Sequence, residues 1–496
     1  MGIVIRQSIY SSIISYAGVV IGYINLLYLY PKFLSTDQIG LFRTIQDAAI
    51  LFAPFAQVGL SQTIIRFYPQ LARDKKSSHS FISFMSLMAL AGFILFFLLF
   101  KVFESSLLAY FQDNAAEVIQ YTNLVLWLTL ILVMVAVMES FSRSLLKTVV
   151  PNLLREVMAR LFLSVLVLLY FTKAITFDQF IIGSVISYLI WLLILMFYLW
   201  RQGELSIQIN FKSLDQKRLP ELIKYSLLSF AGMAGLILIG KIDSMMVSAL
   251  LGFSANAVYT TAFYMATVIE IPKRALSQIA MPLISRAFER NDIKEVASLY
   301  RKTSINQLII GSLLLIGVWI NLDSMFALMP KGEVFSVGKW VVIIIGAGKL
   351  VDMLFGPSSE IIVLSKYFKF NIVLILILAV LIVVSNNLLI PRYGIEGAAW
   401  GAAFALITFN AIKYLFIYSK YKIQPFDSNT LKVLLIAFLV LAANYFSSRL
   451  DFVVLDILFR STFTTLLFGA LVLLTKVSPE ANELFRKGIK LIFKRN

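Results

Sequence analysis

The chain has no cysteine among its 496 residues, which excludes disulfides, thiolate nucleophiles and cysteine-held metals. Histidine is almost as scarce. His79 stands alone, so neither an imidazole metal cluster nor a Ser-His-Asp triad is expected, and it reads as a solvated loop residue. Asp and Glu number 27 against 44 Lys and Arg, a formal charge of +17, and charged residues make up only 14%. Soluble domains carry about 25% charged residues and roughly 45–50% apolar ones; here the apolar share is 59%. These shortages exclude an ordinary soluble enzyme, a disordered chain and a nucleic-acid binder with a folded polar surface. There is also no glycine-rich phosphate loop, so direct use of ATP is not expected.

What the chain does have is long apolar runs and a mean hydropathy of +0.86, the signature of a polytopic membrane protein. A spanning helix needs roughly 20 apolar residues to cross about 30 Å of hydrocarbon. Fourteen segments qualify: 8–30, 39–65, 80–100, 118–138, 152–171, 177–200, 219–247, 255–284, 303–322, 337–364, 370–390, 395–418, 429–446 and 453–474. Residues 1–6 lack the features of a cleaved leader, so the first segment is expected to be a retained span.

Lys and Arg set the orientation. With the gaps assigned alternately to two sides, most of the 44 fall on one side, Lys413 and the C-terminal tail among them. The other side holds Lys32, Lys101, Lys173, Lys331, Lys339, Arg392, Arg449 and Arg460. Arg43, Lys241, Lys273, Arg274 and Lys349 stay inside the spans. By the positive-inside rule the basic side is cytoplasmic, and both termini with it. The largest gap, 201–218, is basic and also falls on that side. The tail from 477 is basic and amphipathic in places, suited to the inner leaflet or to solvent. Tyr28, Tyr30, Tyr198, Trp200, Trp319 and Trp340 fit an interfacial aromatic belt.

An internal repeat is suggested by Leu60-Ser61-Gln62 in the second segment and Leu276-Ser277-Gln278 in the eighth. Upstream of these, residues 34–42 resemble residues 251–259. A six-helix duplication divides the chain into a lobe at 1–203, a lobe at 204–425, two further helices at 426–476 and the tail at 477–496.

Five basic and four acidic residues lie deep enough to matter: Arg43, Asp47, Lys241, Asp243, Glu270, Lys273, Arg274, Lys349 and Asp352. An ionised group at the bilayer centre costs at least roughly 2.5–3.5 kcal/mol, so each needs a partner or water. Helical spacing pairs Arg43 with Asp47, groups Glu270 with Lys273 and Arg274 around Pro272, and sets Lys349 by Asp352. Lys241 and Asp243, two apart, cannot pair on one face. One reading makes these charges helix-locking pairs. The other makes them the lining of a water-filled cationic cavity for pyrophosphate and sugar acids, where arginine's planar fork suits phosphate. Pro54 and Pro272 offer places to kink. Glu139 with Arg143, and Glu156 with Arg160, read as structural i, i+4 pairs.

Thr36-Asp37-Gln38-Ile39-Gly40-Leu41-Phe42 followed by Gly59-Leu60 resembles the first helix pair of bacterial polysaccharide flippases of the O-antigen type. So do Lys241-Ile242-Asp243 leading to Leu251-Gly252 and Val258-Tyr259, then Pro282. Pro391-Arg392-Tyr393-Gly394-Ile395-Glu396-Gly397-Ala398-Ala399-Trp400 resembles their turn before the twelfth helix. Ala257 departs from the pattern, which usually has glycine there.

The resemblance implies the multidrug/oligosaccharidyl-lipid/polysaccharide exporter fold: an all-α protein of about fourteen spans, with two six-helix lobes around a central cavity and two C-terminal helices. It implies a non-enzymatic flippase that moves an undecaprenyl-pyrophosphate-linked oligosaccharide across the inner membrane by alternating access. The implied partners are that lipid, the surrounding bilayer, a polysaccharide polymerase and glycosyltransferases, with no nucleic acid. No cofactor or metal is expected, and a coupling ion, if one is used, is not named by the sequence. The alternatives are a lipid II flippase, a cation or drug antiporter of the same superfamily, and, less favoured because the outer gaps are short, a membrane polymerase or ligase.

Overall fold

The computed structural model describes residues 2–71, 74–206, 208, 219–446, 449–483 and 485–486. Most of the 201–218 gap and most of the basic tail lie outside them. The described residues form helices and no strand. They fall into two compact units, Met1–Ala257 and Val258–Asn496.

The first unit contains α1 (Gly2–Ile24), α2 (Tyr30–Phe33), α3 (Thr36–Gln57), α4 (Leu60–Leu71), α5 (Lys75–Ala109), α6 (Thr122–Ser144), α7 (Val149–Leu153), α8 (Ala159–Phe171), α9 (Phe177–Arg201) and α10 (Leu219–Leu251). α11 (Phe253–Thr267) crosses the division. The second unit follows with α12 (Ile271–Glu289), α13 (Ile293–Leu328), α14 (Gly332–Ser336), α15 (Lys339–Leu354), α16 (Ser358–Leu364), α17 (Phe368–Tyr421), α18 (Ser428–Tyr445) and α19 (Val453–Leu474). The division at 257 differs from the 203 boundary that the repeat suggests. α10 packs along α3 and therefore groups by contact with the helices before it.

Apolar side chains face outward where bilayer is the solvent. In α5 only 17% of the most apolar window is buried, whereas in α3 the figure is 72%. α3 is thus an interior helix, held by α5, α6 and α10, and α5 offers its surface to lipid. In the second unit α13 has the interior role, contacting α12, α15, α18 and α19. α18 and α19 join it through Val433, Ile436, Val440, Phe468 and Val472 packed on Leu308, Ile316 and Ile320.

Among the described residues nine helices are long and apolar enough to cross a membrane, or up to eleven if each bent pair is one span. Fourteen segments were expected, and the difference comes from breaks. The fifth segment is interrupted by a π-turn at Leu154–Met158. The eighth passes through a 3-10 turn at Val268–Glu270, after which Pro272 sits in the first turn of α12. The tenth bends by 47° between α15 and α16. The eleventh and twelfth run on as α17, broken at Gly394, whose φ of 59° and ψ of −140° leave the helical region. The second segment ends early: Val58 adopts φ 50° and closes α3 beyond Pro54.

Capping boxes close the starts of α3 and α5. Ser35 and Gln38 exchange bonds at the start of α3, with Gln38 N donating to Ser35 Oγ at 3.1 Å. Asp74 accepts from Ser77 N at 2.7 Å ahead of α5, and this bond holds its carboxyl below the usual carboxylate range. His79 lies in α5 and not in a loop, its Nε2 3.2 Å from the Gly203 carbonyl. Tyr30 also departs from the expected belt, since it is buried among the first unit's helices.

Candidate functional site

Within the first unit, one face of α3 carries Thr36, Gly40, Thr44 and Asp47 at helical spacing. Opposite it stand Lys241, Ser244 and Ser248 of α10 and the start of α11. Lys241 Nζ lies 2.5 Å from Asp47 Oδ1, and Ser244 Oγ donates to Asp47 Oδ2 at 2.7 Å. Ser244 Oγ is also 3.1 Å from Asn256 Oδ1, and Asn256 Nδ2 donates to Thr44 Oγ1 at 3.2 Å. Thr44 and Ser248 hydroxyls meet at 2.5 Å, and Ser254 Oγ donates to Thr36 Oγ1 at 2.7 Å. The result is a buried polar seam. Gly40 makes the close approach: a Cβ there would stand 1.8 Å from the Phe253 carbonyl oxygen. The seam also brings together residues 34–42 and the start of 251–259, the stretches that resemble each other in sequence.

Sequence spacing paired Asp47 with Arg43. In the structure Asp47 takes Lys241 from another helix, and the Arg43 guanidinium sits 5.7 Å from the centre of the Tyr30 ring. Asp243 is buried on α10, two residues from Lys241. Thr44, Ser244, Ser248 and Asn256 were not picked out from sequence. The available signal was a stripe of polar residues, Lys241, Ser244 and Ser248, matching one of Thr36, Thr44 and Asp47.

The second unit contains another group. Lys273 pairs with Asp352. Lys349 Nζ lies 2.5 Å from Glu270 Oε2, and Arg274 reaches Glu270 Oε1 at 3.7 Å. The expected Lys349–Asp352 neighbours therefore exchange partners with the Glu270–Lys273 pair of the preceding segment. Arg274 is the open member, its side chain 75% exposed, while Lys349 is 12% exposed and lies 5.4 Å from the Phe263 ring centre.

Lys413 changes place. Counted from sequence among cytoplasmic gap residues, it is buried on α17, only 1% exposed. Its Nζ donates to Ser359 Oγ at 2.9 Å and lies 4.3 Å from the Phe409 ring centre. Asp352 has Lys413 and Asn410 in its surroundings besides Lys273. Glu360 also faces Lys273 and Lys413, so four cations stand among three carboxylates, with Arg274 the exposed cation.

At the other expected pairs, Arg143 meets Glu139 at 3.2 Å and Arg160 meets Glu156 at 3.0 Å. Arg155 bridges them, reaching Glu139 at 3.2 Å and Glu156 at 3.1 Å.

The helical architecture, with its long apolar and charge-bearing spans, defines a multi-pass membrane protein. The fold is that of a lipid II flippase, MurJ, in an inward closed conformation, with a TM-score of 0.73 and 15% identity, covering 94% of this chain and 98% of that one. It also matches an inward-facing multidrug resistance MATE transporter of the MOP superfamily, with a TM-score of 0.65, 14% identity and coverage of 82% and 94%. A MOP superfamily transporter from Pyrococcus furiosus aligns with a TM-score of 0.56, 13% identity and coverage of 85% and 95%. No curated protein matches the sequence. The model of the family described as polysaccharide biosynthesis protein matches residues 4–288, more than half of the chain. The chain belongs to that family, and the proteins that share its fold are flippases and transporters.

Proposed function

We propose that this protein translocates an undecaprenyl-pyrophosphate-linked oligosaccharide across the bacterial cytoplasmic membrane by alternating access, supplying surface polysaccharide biosynthesis. The observation that carries this reading is the family match over residues 4–288 on a flippase fold. The charges inside the helices support it. Lys273, Lys349 and Arg274 are held by Glu270 and Asp352 through pairs that an anionic ligand can open. A pyrophosphate competes for such cations through charge-assisted hydrogen bonds, and arginine offers it a bidentate fork. We assign Arg43, Asp47, Lys241 and Asp243 in the first unit, and Glu270, Lys273, Arg274, Lys349 and Asp352 in the second, to substrate recognition and its control. In this reading both termini are cytoplasmic, and a polymerase with glycosyltransferases works beside the protein.

The lipid II reading is favoured by one observation, the coverage of nearly the whole MurJ chain. Depletion separates the two. Loss of the protein is expected to trap lipid-linked repeat units on the cytoplasmic leaflet and remove a surface glycan while peptidoglycan synthesis continues. Arrested peptidoglycan synthesis with an intact glycan would reject the proposal in favour of lipid II.

A further inference from the structure

Basic residues are scarce on the side assigned as external, and three of them gather in one place. Lys339, Arg449 and Arg460 line a single pocket of about 530 Å³ in the second unit, formed by α13, α15, α18, α19 and the α18–α19 connection. The positive-inside bias makes cations on this side infrequent. Their convergence needs a reason beyond topology.

The floor is built. Arg460 is 6% exposed and donates from a terminal nitrogen to the Ile320 carbonyl at 3.0 Å, while its Nε lies 3.3 Å from Asp456. Asp456 is also engaged by the Leu450 amide at 3.0 Å and the Ser324 hydroxyl at 3.3 Å. The counted outer-gap residue Arg460 is thus a buried group on α19, its position fixed by backbone and carboxylate together. At the rim, Asp323 is shared between Lys339 at 2.5 Å and Arg449 at 2.8 Å. One carboxylate between two cations leaves a positive surplus. Each cation gives Asp323 one N–H, and the Arg449 side chain remains 61% exposed, so donors are left for a ligand.

Apart from Asn444, the remaining wall is apolar or aromatic. Phe438 and Leu441 run along α18, and Trp319 and Tyr445 stand at the same end as the cations. Tyr445 and its neighbour Phe446 are among the most exposed aromatics of the chain, as befits the headgroup level of a bilayer. A free inorganic anion would use only the polar part. A phosphate carried on a hydrocarbon chain would use both.

We propose that this pocket binds the phosphate of an anionic lipid in the outer leaflet, with Arg449 and Lys339 contacting the phosphate, the Arg460–Asp456 pair forming the floor and α18 carrying the chain. Asp323 competes with the ligand for the two rim cations. The site is separate from the charged group around Glu270 and Asp352 and does not rest on the flippase reading.

The test is native mass spectrometry of the purified full chain, released from detergent after incubation with phosphatidylglycerol, phosphatidylcholine or inorganic phosphate. The wild type is expected to retain phosphatidylglycerol in preference to phosphatidylcholine, and inorganic phosphate is expected not to displace it at equal concentration. Lys339→Ala with Arg449→Ala should reduce that preference about tenfold, as loss of charged hydrogen bonds implies. Asp323→Asn provides the independent arm, because freeing both cations should strengthen retention. A purely structural cluster predicts no gain in Asp323→Asn. That result, or an unchanged preference in the folded double variant, would overturn the site. Displacement by inorganic phosphate would overturn its assignment to a lipid.

Discussion

Lys241 and Arg274 show how differently two intramembrane cations can be used. Lys241 is fixed against buried Asp47, which also accepts from Ser244. Removing one partner of such a buried pair costs about 3–5 kcal/mol, because the other charge is left uncompensated. Lys241→Met should therefore lower the thermal unfolding temperature in detergent clearly, and adding Asp47→Leu should recover most of the loss. Failure of the second change to restore stability would remove the pair from the account. Arg274 is the opposite case, mostly exposed and 3.7 Å from its carboxylate. Exposed pairs contribute about 0–1 kcal/mol. Arg274→Ala should leave protein level and melting nearly unchanged while transport falls, with partial recovery in Arg274→Lys. Equal losses of protein and transport would make Arg274 structural. The need for partners was legible from charge in apolar runs, but not their identity. Spacing along one helix pairs Arg43 with Asp47 and Lys349 with Asp352; the carboxylates instead met cations of other helices, which periodicity does not place. Lys413 escaped notice because its position near the end of an apolar run looks like a snorkelling cation.

Helices here are interrupted both within the apolar segments and at their boundaries, and the interruptions were only partly readable. Gly394 sits in the Tyr-Gly motif at the boundary between the eleventh and twelfth segments, where the break occurs. Its φ and ψ suit glycine alone, and forcing an L side chain into such a region costs on the order of 1–3 kcal/mol. Gly394→Ala should destabilise by that amount in a melting experiment, although nothing stands within 4 Å of the added Cβ. An unchanged melting temperature would show that the turn tolerates other geometry. Gly40 acts through space instead. Gly40→Ala would bring a Cβ against the Phe253 carbonyl and push α3 from α11, so the seam from Thr36 to Asp47 should open. Cross-linking of cysteines placed at Thr36 and Ser254 in this cysteine-free chain should be efficient in the parent and lost with Gly40→Ala. Efficient cross-linking in both would show that the approach is not set by Gly40. The 3-10 turn at Val268–Glu270 was signalled by Pro272 just after it, whereas the π-turn at Leu154–Met158, with neither glycine nor proline inside it, had no comparable sign.

At the scale of the molecule, membrane class and helical architecture followed from composition and run length alone, because water excludes so apolar a chain from any soluble fold. The chemistry of the cargo did not. Lys and Arg within helices say that an anion or a carboxylate is near, and only the family relationship points from there to polysaccharide biosynthesis. Orientation is open to direct measurement. Cysteines introduced singly at Ser206 and Asp113 should react differently with an impermeant thiol reagent in intact cells, Asp113→Cys labelling and Ser206→Cys not. The reverse pattern would invert the topology. The measurement that bears most directly on the central claim is translocation itself. Purified protein is reconstituted into liposomes holding a fluorescent undecaprenyl-pyrophosphate-linked oligosaccharide, and the fraction reached by an external quencher is followed. The wild type is expected to expose the inner-leaflet pool, with Lys273→Met plus Lys349→Met, folded and reconstituted equally, reducing the rate strongly. A rate no faster than in protein-free liposomes under imposed ion gradients of either sign, or full activity in the double variant, would contradict the account.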